Sequence, residues 1–485
     1  MLPATTTGVP GRVAGSNGHV AWGLSNTYGD WVDLVVLEID AQDPRRYRTA
    51  DGYRVFQEHR EVIQIHGSAP RTQVVKNTIW GPVIDSDGSG RPRALRWLAH
   101  DWEATNMGLL GMEEVRTVKQ AMQVAWASGI PPQNVILADS GGNIAWTVMG
   151  RIPRRRGYDP MLPVSWADGD RGWFGWLSPD EYPVVMNPAS GAVWSANNRA
   201  VDGAALAAIG DGGYALGARA MQIRDSLLEL DGAVEADMLA IQLDDRALFL
   251  ARWRRLLLQV LSPGAVAGDE RRADFRRVLQ TGARRAAVDD AGYRLVRAFR
   301  RALAGRVFAD ILVACGGLDA NDFPPGMRQW EGALWRVLDE RPMHMLNPGY
   351  QSWEELLLAT ADGVARECGE GGLEGCTWGD ANVVRIRHPL SRALPLLARW
   401  LDMPARSLPG DIHMPRVQGP AMGASERFVV APGRETSGYF QMPGGQSGHP
   451  MSPFYDAGHR AWIEGQPTPF LPGASRHRLT LSPAP

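Results

Sequence analysis

The sequence predicts an α+β protein, and two observations predict it. Residues 1–215 carry short apolar runs, several alternating at period two, each closed by Gly, Pro or Asn. From 216 the composition turns to Arg, Leu and Ala, with apolar residues at helical spacing. Three parts are therefore expected: a β-rich body (1–215), a mainly helical part (216–400), and a Gly-, Pro- and Ser-rich segment (401–485) returning to the core.

Composition removes several functions. The net charge is −2, so no basic field points to nucleic acid or an anionic membrane. No apolar run is long enough to span a bilayer, and the start, Met1-Leu2-Pro3-Ala4-Thr5-Thr6-Thr7, lacks the basic and apolar regions of a signal peptide. The three cysteines do not make a disulfide scaffold or a zinc site. Cys368 and Cys376 can pair across the Gly-rich turn at 369–372, or stay as thiols in a reducing compartment; Cys315 is the third.

In chain order, His19–Trp22 reads as a short strand and Leu34–Leu37 as a strongly apolar one. Glu61–His66 alternates like a half-buried strand, and Val74–Trp80 follows, closed by Gly81-Pro82. Val115, Val118, Met122 and Trp126 mark an amphipathic helix stopped by Gly129. Asn134–Asp139 and Asn143–Val148 form a hairpin turning at Ser140-Gly141-Gly142. A Pro/Gly-rich loop region (153–188) leads to a strand, Gly191–Ser195, which delivers Asn197. Helices are expected near 221–228, 248–257, 272–304 and 352–367, and a strand at Arg427–Val430. The pairs Arg254-Arg255, Arg271-Arg272 and Arg300-Arg301 read as solvated faces.

The stretch from Gly8 to Asp33 is the most distinctive. Glycines at 8, 11, 15, 18, 23 and 29 imply repeated sharp turns. Asp30 and Asp33 flank Trp31-Val32 at the mouth of a strand. Two readings are open there: side chains that cap nearby backbone N–H groups, or ligands for a hard cation such as Ca²⁺.

Pro10-Gly11, Gly15, Asn17-Gly18, Trp22-Gly23, Gly29-Asp30 and Asp33 together resemble the penicillin acylase family of N-terminal nucleophile hydrolases. The resemblance continues in order. It includes the hairpin Ala138-Asp139, Gly142-Asn143-Ile144, the loop Gly157–Pro163, Asn187-Pro188 with Gly191 and Asn197-Asn198, then Tyr214, Arg219 and Ile223. It ends in Gly444–Pro450, Ser452, Tyr455, Trp462 and Gly465. One departure is Trp80, where the family carries His.

The resemblance implies a four-layer α/β/β/α sandwich with a helical insertion, and hydrolysis of a linear amide through an acyl-enzyme. It implies an oxyanion hole from the Asn197 side chain and the Asn26 backbone N–H, and an orienting role for Arg219. It also implies a structural Ca²⁺ held by Asp30, the Val32 carbonyl, Asp33, the Pro160 carbonyl and Asp211. The family's nucleophile is a serine exposed at a new N-terminus, its own α-amine acting as base. Residues 1–8 contain no Ser, and Thr5-Thr6-Thr7 has the wrong context, so the chain reads as a large subunit without its first strands. A small (α) subunit from the same precursor, a small N-acyl substrate and a periplasmic or secreted location follow from the resemblance. The alternative is a non-catalytic binding or structural module on this fold. Ser447, in Gly-Gln-Ser-Gly-His, does not fit a nucleophile elbow, since His449 replaces the second Gly.

Overall fold

The computed structural model describes residues 3–4, 11–314, 328–369, 372–475, 478–480 and 482. Thr5-Thr6-Thr7, Pro10, Cys315 and the middle of the 369–372 turn lie outside the described residues. The chain divides into two compact units, Pro3–Ala215 and the residues from Leu216 onward. The 215/216 boundary coincides with the composition change. The described part of 401–485 groups with the helices in the second unit.

The first unit opens with strands β1 (Pro3–Ala4), β2 (Ala14–Ser16), β3 (Val20–Asn26) and β4 (Val32–Val36). Next come β5 (Arg46–Thr49), β6 (Gly52–Val55), β7 (Gln57–Ile63), β8 (Arg71–Thr78), β9 (Gly81–Ser86) and β10 (Pro92–Trp97). Helix α1 (Val118–Ala127) precedes β11 (Gln133–Asp139), β12 (Ile144–Met149), β13 (Pro153–Arg156), β14 (Gly172–Trp176), β15 (Val184–Met186) and helix α2 (Gly203–Ile209). One antiparallel sheet has the order β1-β2-β3-β11-β12-β15 and another β4-β10-β9-β8-β7.

Val20, Trp22, Val135, Leu137, Ala145 and Val148 are buried and form one core with Met122, Ala125 and Trp126 of α1. The register sets Trp22 opposite Leu137 and Asn26 opposite Gln133. On its other side β3 meets β2 only through Gly15↔Trp22 and Ser16↔Ala21. Among the described residues, Gly23–Asn26 face no strand on that side.

Four expectations of secondary structure change. The stretch 153–188, read as loop, carries β13, β14 and β15. The 61–66 strand is shifted to β7, and every residue of β7 is exposed rather than half buried; its inner neighbour β8 is mostly exposed too, so no layer among the described residues covers this part of the sheet. Gly191–Ser195 is irregular and makes no strand, so Asn197 is carried by a loop. The single helix expected at 272–304 is two, Glu270–Thr281 and Ala291–Val307. The break has a local cause: Ala283 takes φ +63°, and Asp290 caps the next helix by accepting the Tyr293 N–H at 2.8 Å. Trp80 packs against the second sheet's core, its ring 5.8 Å from Tyr47 and 6.4 Å from Trp166.

The second unit is built around the buried Trp253, Phe275, Leu279, Tyr293, Phe299, Leu303 and Leu356. The arginine pairs are not simply solvated faces. Arg254 donates to the Leu279 carbonyl at 2.8 Å, Arg272 grips Asp362 at 2.7–2.8 Å, and Arg300 is buried against Glu331. An arginine's long stem packs while its fork reaches an internal acceptor. Cys368 and Cys376 form a disulfide with Cα atoms 5.6 Å apart, settling the pairing the sequence left open.

His413 stacks on Phe249, ring centres 4.6 Å apart. Burial, then the Arg300 charge, pushes its pKa from 6.5 down to about 3. The unfolded chain therefore binds this proton at a higher pH than the folded one. Stability from this group is complete above pH 6.5 and is lost as pH falls towards 3. The expected loss is up to about 1.4 kcal/mol per pH unit. Urea unfolding at a series of pH values should show this slope in the parent and a flatter one in His413→Leu.

Candidate active site

Asn26 ends β3 and Asn197 sits in the loop before Tyr214, and the structure brings the two together. The Asn197 amide Nδ2 donates to the Asn26 carbonyl at 2.9 Å. Asn197 has φ +65°, a left-handed conformation that Asn adopts more readily than most residues. The Ala215 N–H donates to the Asn197 carbonyl at 2.9 Å, fixing the loop from its far side. Asn134, which the sequence did not single out, supports the same point. Its buried amide donates to the Asn26 carbonyl at 3.1 Å and to Ser25 Oγ at 3.3 Å, while its oxygen accepts the Trp146 indole N–H at 3.1 Å.

Most of the motif residues around this point are clips for backbone. Asn17 Oδ1 accepts the N–H groups of His19 and Val20 at 2.9 and 2.8 Å, and its Nδ2 donates to the Met112 and Val115 carbonyls. Asp139 accepts from Val118, Gly141 and Asn143 N–H at 3.0 Å each. Burial opposes its ionisation, but these bonds hold its pKa below the ordinary carboxylate value. Asn187 continues the chain of clips: its Nδ2 donates to Asn143 Oδ1 and its Oδ1 accepts the Ile144 N–H.

Asp30 and Asp33 follow β3, both buried. The loop holding them is pressed against 209–212. The Asp30 N–H donates to the Ile209 carbonyl and the Gly212 N–H to the Tyr28 carbonyl, each at 2.9 Å. A Cβ on Gly212 would lie 2.2 Å from the Gly29 carbonyl oxygen, so only glycine permits this approach. Arg155 of β13 lies among the two carboxylates. Its Nε donates to Asp33 Oδ2 at 3.1 Å, and its Nη2 donates to the Asp30 carbonyl at 2.5 Å and lies 3.5 Å from Asp30 Oδ1. The Trp173 indole N–H also donates to Asp33 Oδ2, at 2.6 Å. Burial raises the Asp30 pKa to about 6, Arg155 opposes the rise, and the charges of Asp33 and Asp211 add to it. Burial and the Asp33 charge push the Tyr158 phenol up as well.

The other residues expected at the metal are placed as follows. Asp211 pairs with Arg199 at 2.9 Å and accepts the Gly213 N–H. Pro160 stands in a turn closed by the Leu162 N–H on the Asp159 carbonyl. Val32 is exposed on β4, opposite Trp97. Among the described residues no three His, Cys, Asp or Glu side chains converge as metal ligands. Of the oxygens expected to bind Ca²⁺, Asp33 Oδ2 is held by the Arg155 guanidinium, which also lies 3.5 Å from Asp30 Oδ1; with that cation in place the two carboxylates do not fit Ca²⁺ as they stand.

Arg155 and Trp173 were missed because residues 153–188 read as loop. The signal was present in Arg154-Arg155-Arg156. On a strand, neighbours face opposite sides, so the middle arginine of three points away from the outer two. Arg154 pairs with Glu181 and Arg156 lies over the Phe174 ring. Arg219 belongs to the second unit, in the first turn of the helix Ala218–Leu228. Ser447 lies in an irregular segment, its hydroxyl accepting the His449 N–H at 3.1 Å, on no strand-to-helix turn.

The penicillin amidase family model matches residues 4–476. The chain belongs to the penicillin amidase family. It is 28% identical to the penicillin acylase 2 proenzyme of Pseudomonas sp. (strain SE83), over 97% of this chain and 61% of that protein. It is 26% identical to the acyl-homoserine lactone acylase QuiP of Pseudomonas aeruginosa, over 98% of this chain and 63% of that protein. The chain thus spans less than two thirds of either relative. A solved thermostable penicillin G acylase from Alcaligenes faecalis superposes with a TM-score of 0.65 at 18% identity, covering 99% of this chain and 92% of that one. This penicillin amidase family member therefore has the α+β fold of the N-terminal nucleophile hydrolases, as the motifs imply. No helix among its described residues is long and apolar enough to cross a membrane.

Proposed function

We propose that the chain is the large-subunit portion of an amidohydrolase that cleaves a linear N-acyl amide, such as a β-lactam side chain or an acyl-homoserine lactone. The observation that carries this reading is the joining of Asn197 and Asn26 at the C-terminal end of β3. The edge beside Gly23–Asn26, which no strand covers among the described residues, suits a further strand bearing the nucleophile. A serine at the N-terminus of that strand attacks the amide carbonyl, and its α-amine takes the hydroxyl proton and returns it to the leaving amine. Water then hydrolyses the acyl ester. The negative oxygen of each tetrahedral intermediate is received by the Asn26 N–H and the Asn197 amide. One hydrogen of the Asn197 amide anchors the side chain on the Asn26 carbonyl, which fixes where the amide stands. The small subunit comes from the same precursor.

The test compares this chain alone with the chain co-expressed with its encoded upstream segment, using chromogenic acyl-anilides and N-acyl-homoserine lactones. The chain alone should turn over none of them, and the pair should be active. Turnover by the chain alone that survives Ser447→Ala would reveal another nucleophile and reject the reading. A folded pair inactive on every N-acyl substrate would favour a non-catalytic module.

A further inference from the structure

We infer that the Arg155 guanidinium takes the place of the calcium ion that the family resemblance implies at Asp30 and Asp33, so that this loop is neutralised from within the chain. Three observations carry it. First, a cation already stands between the two carboxylates: Asp33 Oδ2 accepts from Arg155 Nε and the Trp173 indole, and Arg155 Nη2, anchored on the Asp30 backbone carbonyl, lies 3.5 Å from Asp30 Oδ1. Calcium takes six to eight oxygens at about 2.3–2.6 Å, and a guanidinium between the same carboxylates repels it.

Second, Arg155 is built in rather than swung in from solvent. Its side chain is only 9% exposed, it stands on a strand paired with β14, and its guanidinium lies 5.6 Å from the centre of the Trp173 ring. Third, Asp30 Oδ2 and Arg155 Nη1 are both buried without a hydrogen-bond partner. A metal satisfies the orphaned oxygen but not the orphaned N–H. A water molecule, which both donates and accepts, satisfies both. The chain has therefore exchanged an external cation for an internal one, and its fold should not depend on calcium.

The test reads metal binding and stability, not hydrolysis, so it stands apart from the proposed activity. Calorimetric titration of the complete protein with calcium chloride should show no binding at this loop, and EDTA should leave the thermal midpoint unchanged. Arg155→Met leaves two buried carboxylates without their cation. It should lower the midpoint in EDTA, regain it on adding Ca²⁺, and bind Ca²⁺ roughly a hundredfold more tightly than the parent. Stoichiometric Ca²⁺ binding by the parent that Asp33→Asn abolishes would overturn the inference. So would a folded Arg155→Met protein that ignores Ca²⁺. If Arg155→Met does not fold, the parent's titration and EDTA response decide alone.

Discussion

Replacing Asn197 by Ala in the complete protein is expected to lower kcat on an N-acyl amide by about two to three orders of magnitude, with little change in KM. A donor aimed at the developing oxyanion acts in the transition state and hardly at all on the bound amide. The local backbone adds a complication. Asn197 holds φ +65°, where Ala is strained by about 1–2 kcal/mol. Asn197→Gly separates the two effects, because Gly accepts that conformation and also lacks the amide. The account expects Gly to restore the thermal midpoint lost in the Ala variant without restoring kcat. Recovery of activity in the Gly variant would make Asn197 a shaping residue only.

The largest stability effect is expected in the helical unit. Glu331 accepts the Trp253 indole N–H at 2.5 Å and both Nε and Nη2 of Arg300, at 2.9 and 2.6 Å. Arg300 is 5% exposed and lies over the Trp330 and Phe249 rings, 4.4 and 4.9 Å from their centres. Glu331→Ala removes the partner and leaves a buried cation and a buried indole N–H unsatisfied. Denaturant unfolding should show a loss of about 3–5 kcal/mol. The double variant Arg300→Met/Glu331→Leu should recover most of it, since packed apolar groups replace buried ion pairs at little net cost. A loss under 1 kcal/mol in Glu331→Ala would mean that Arg300 finds water.

Legibility in the sequence followed how local each signal was. The β11–β12 hairpin was readable because its turn chemistry and its alternation lie within one short stretch. The helices Ala218–Leu228 and Trp353–Glu367 were readable by apolar period. Asn26 and Asn197 are 171 residues apart, and only the family motif brought them together before the structure did. Period said nothing of burial for β7, because a strand keeps its alternation whether or not a layer covers it, and among the described residues none covers β7 or most of β8. Arg155 was hidden in a stretch read as loop, and its role depends on a partner 122 residues away. Charge runs misled for the same reason: Arg300 next to Arg301 reads as surface until Glu331 is placed opposite it.

The most direct measurement of the central claim is intact-mass spectrometry of the complete protein quenched during turnover of an N-acyl amide. The account predicts one acyl adduct, on the N-terminal serine of the segment upstream of these residues, with residues 1–485 unmodified. Its yield should fall with Asn197→Ala. An adduct on Ser447 or any other side chain of this chain, or steady turnover that leaves the upstream serine dispensable, would contradict it.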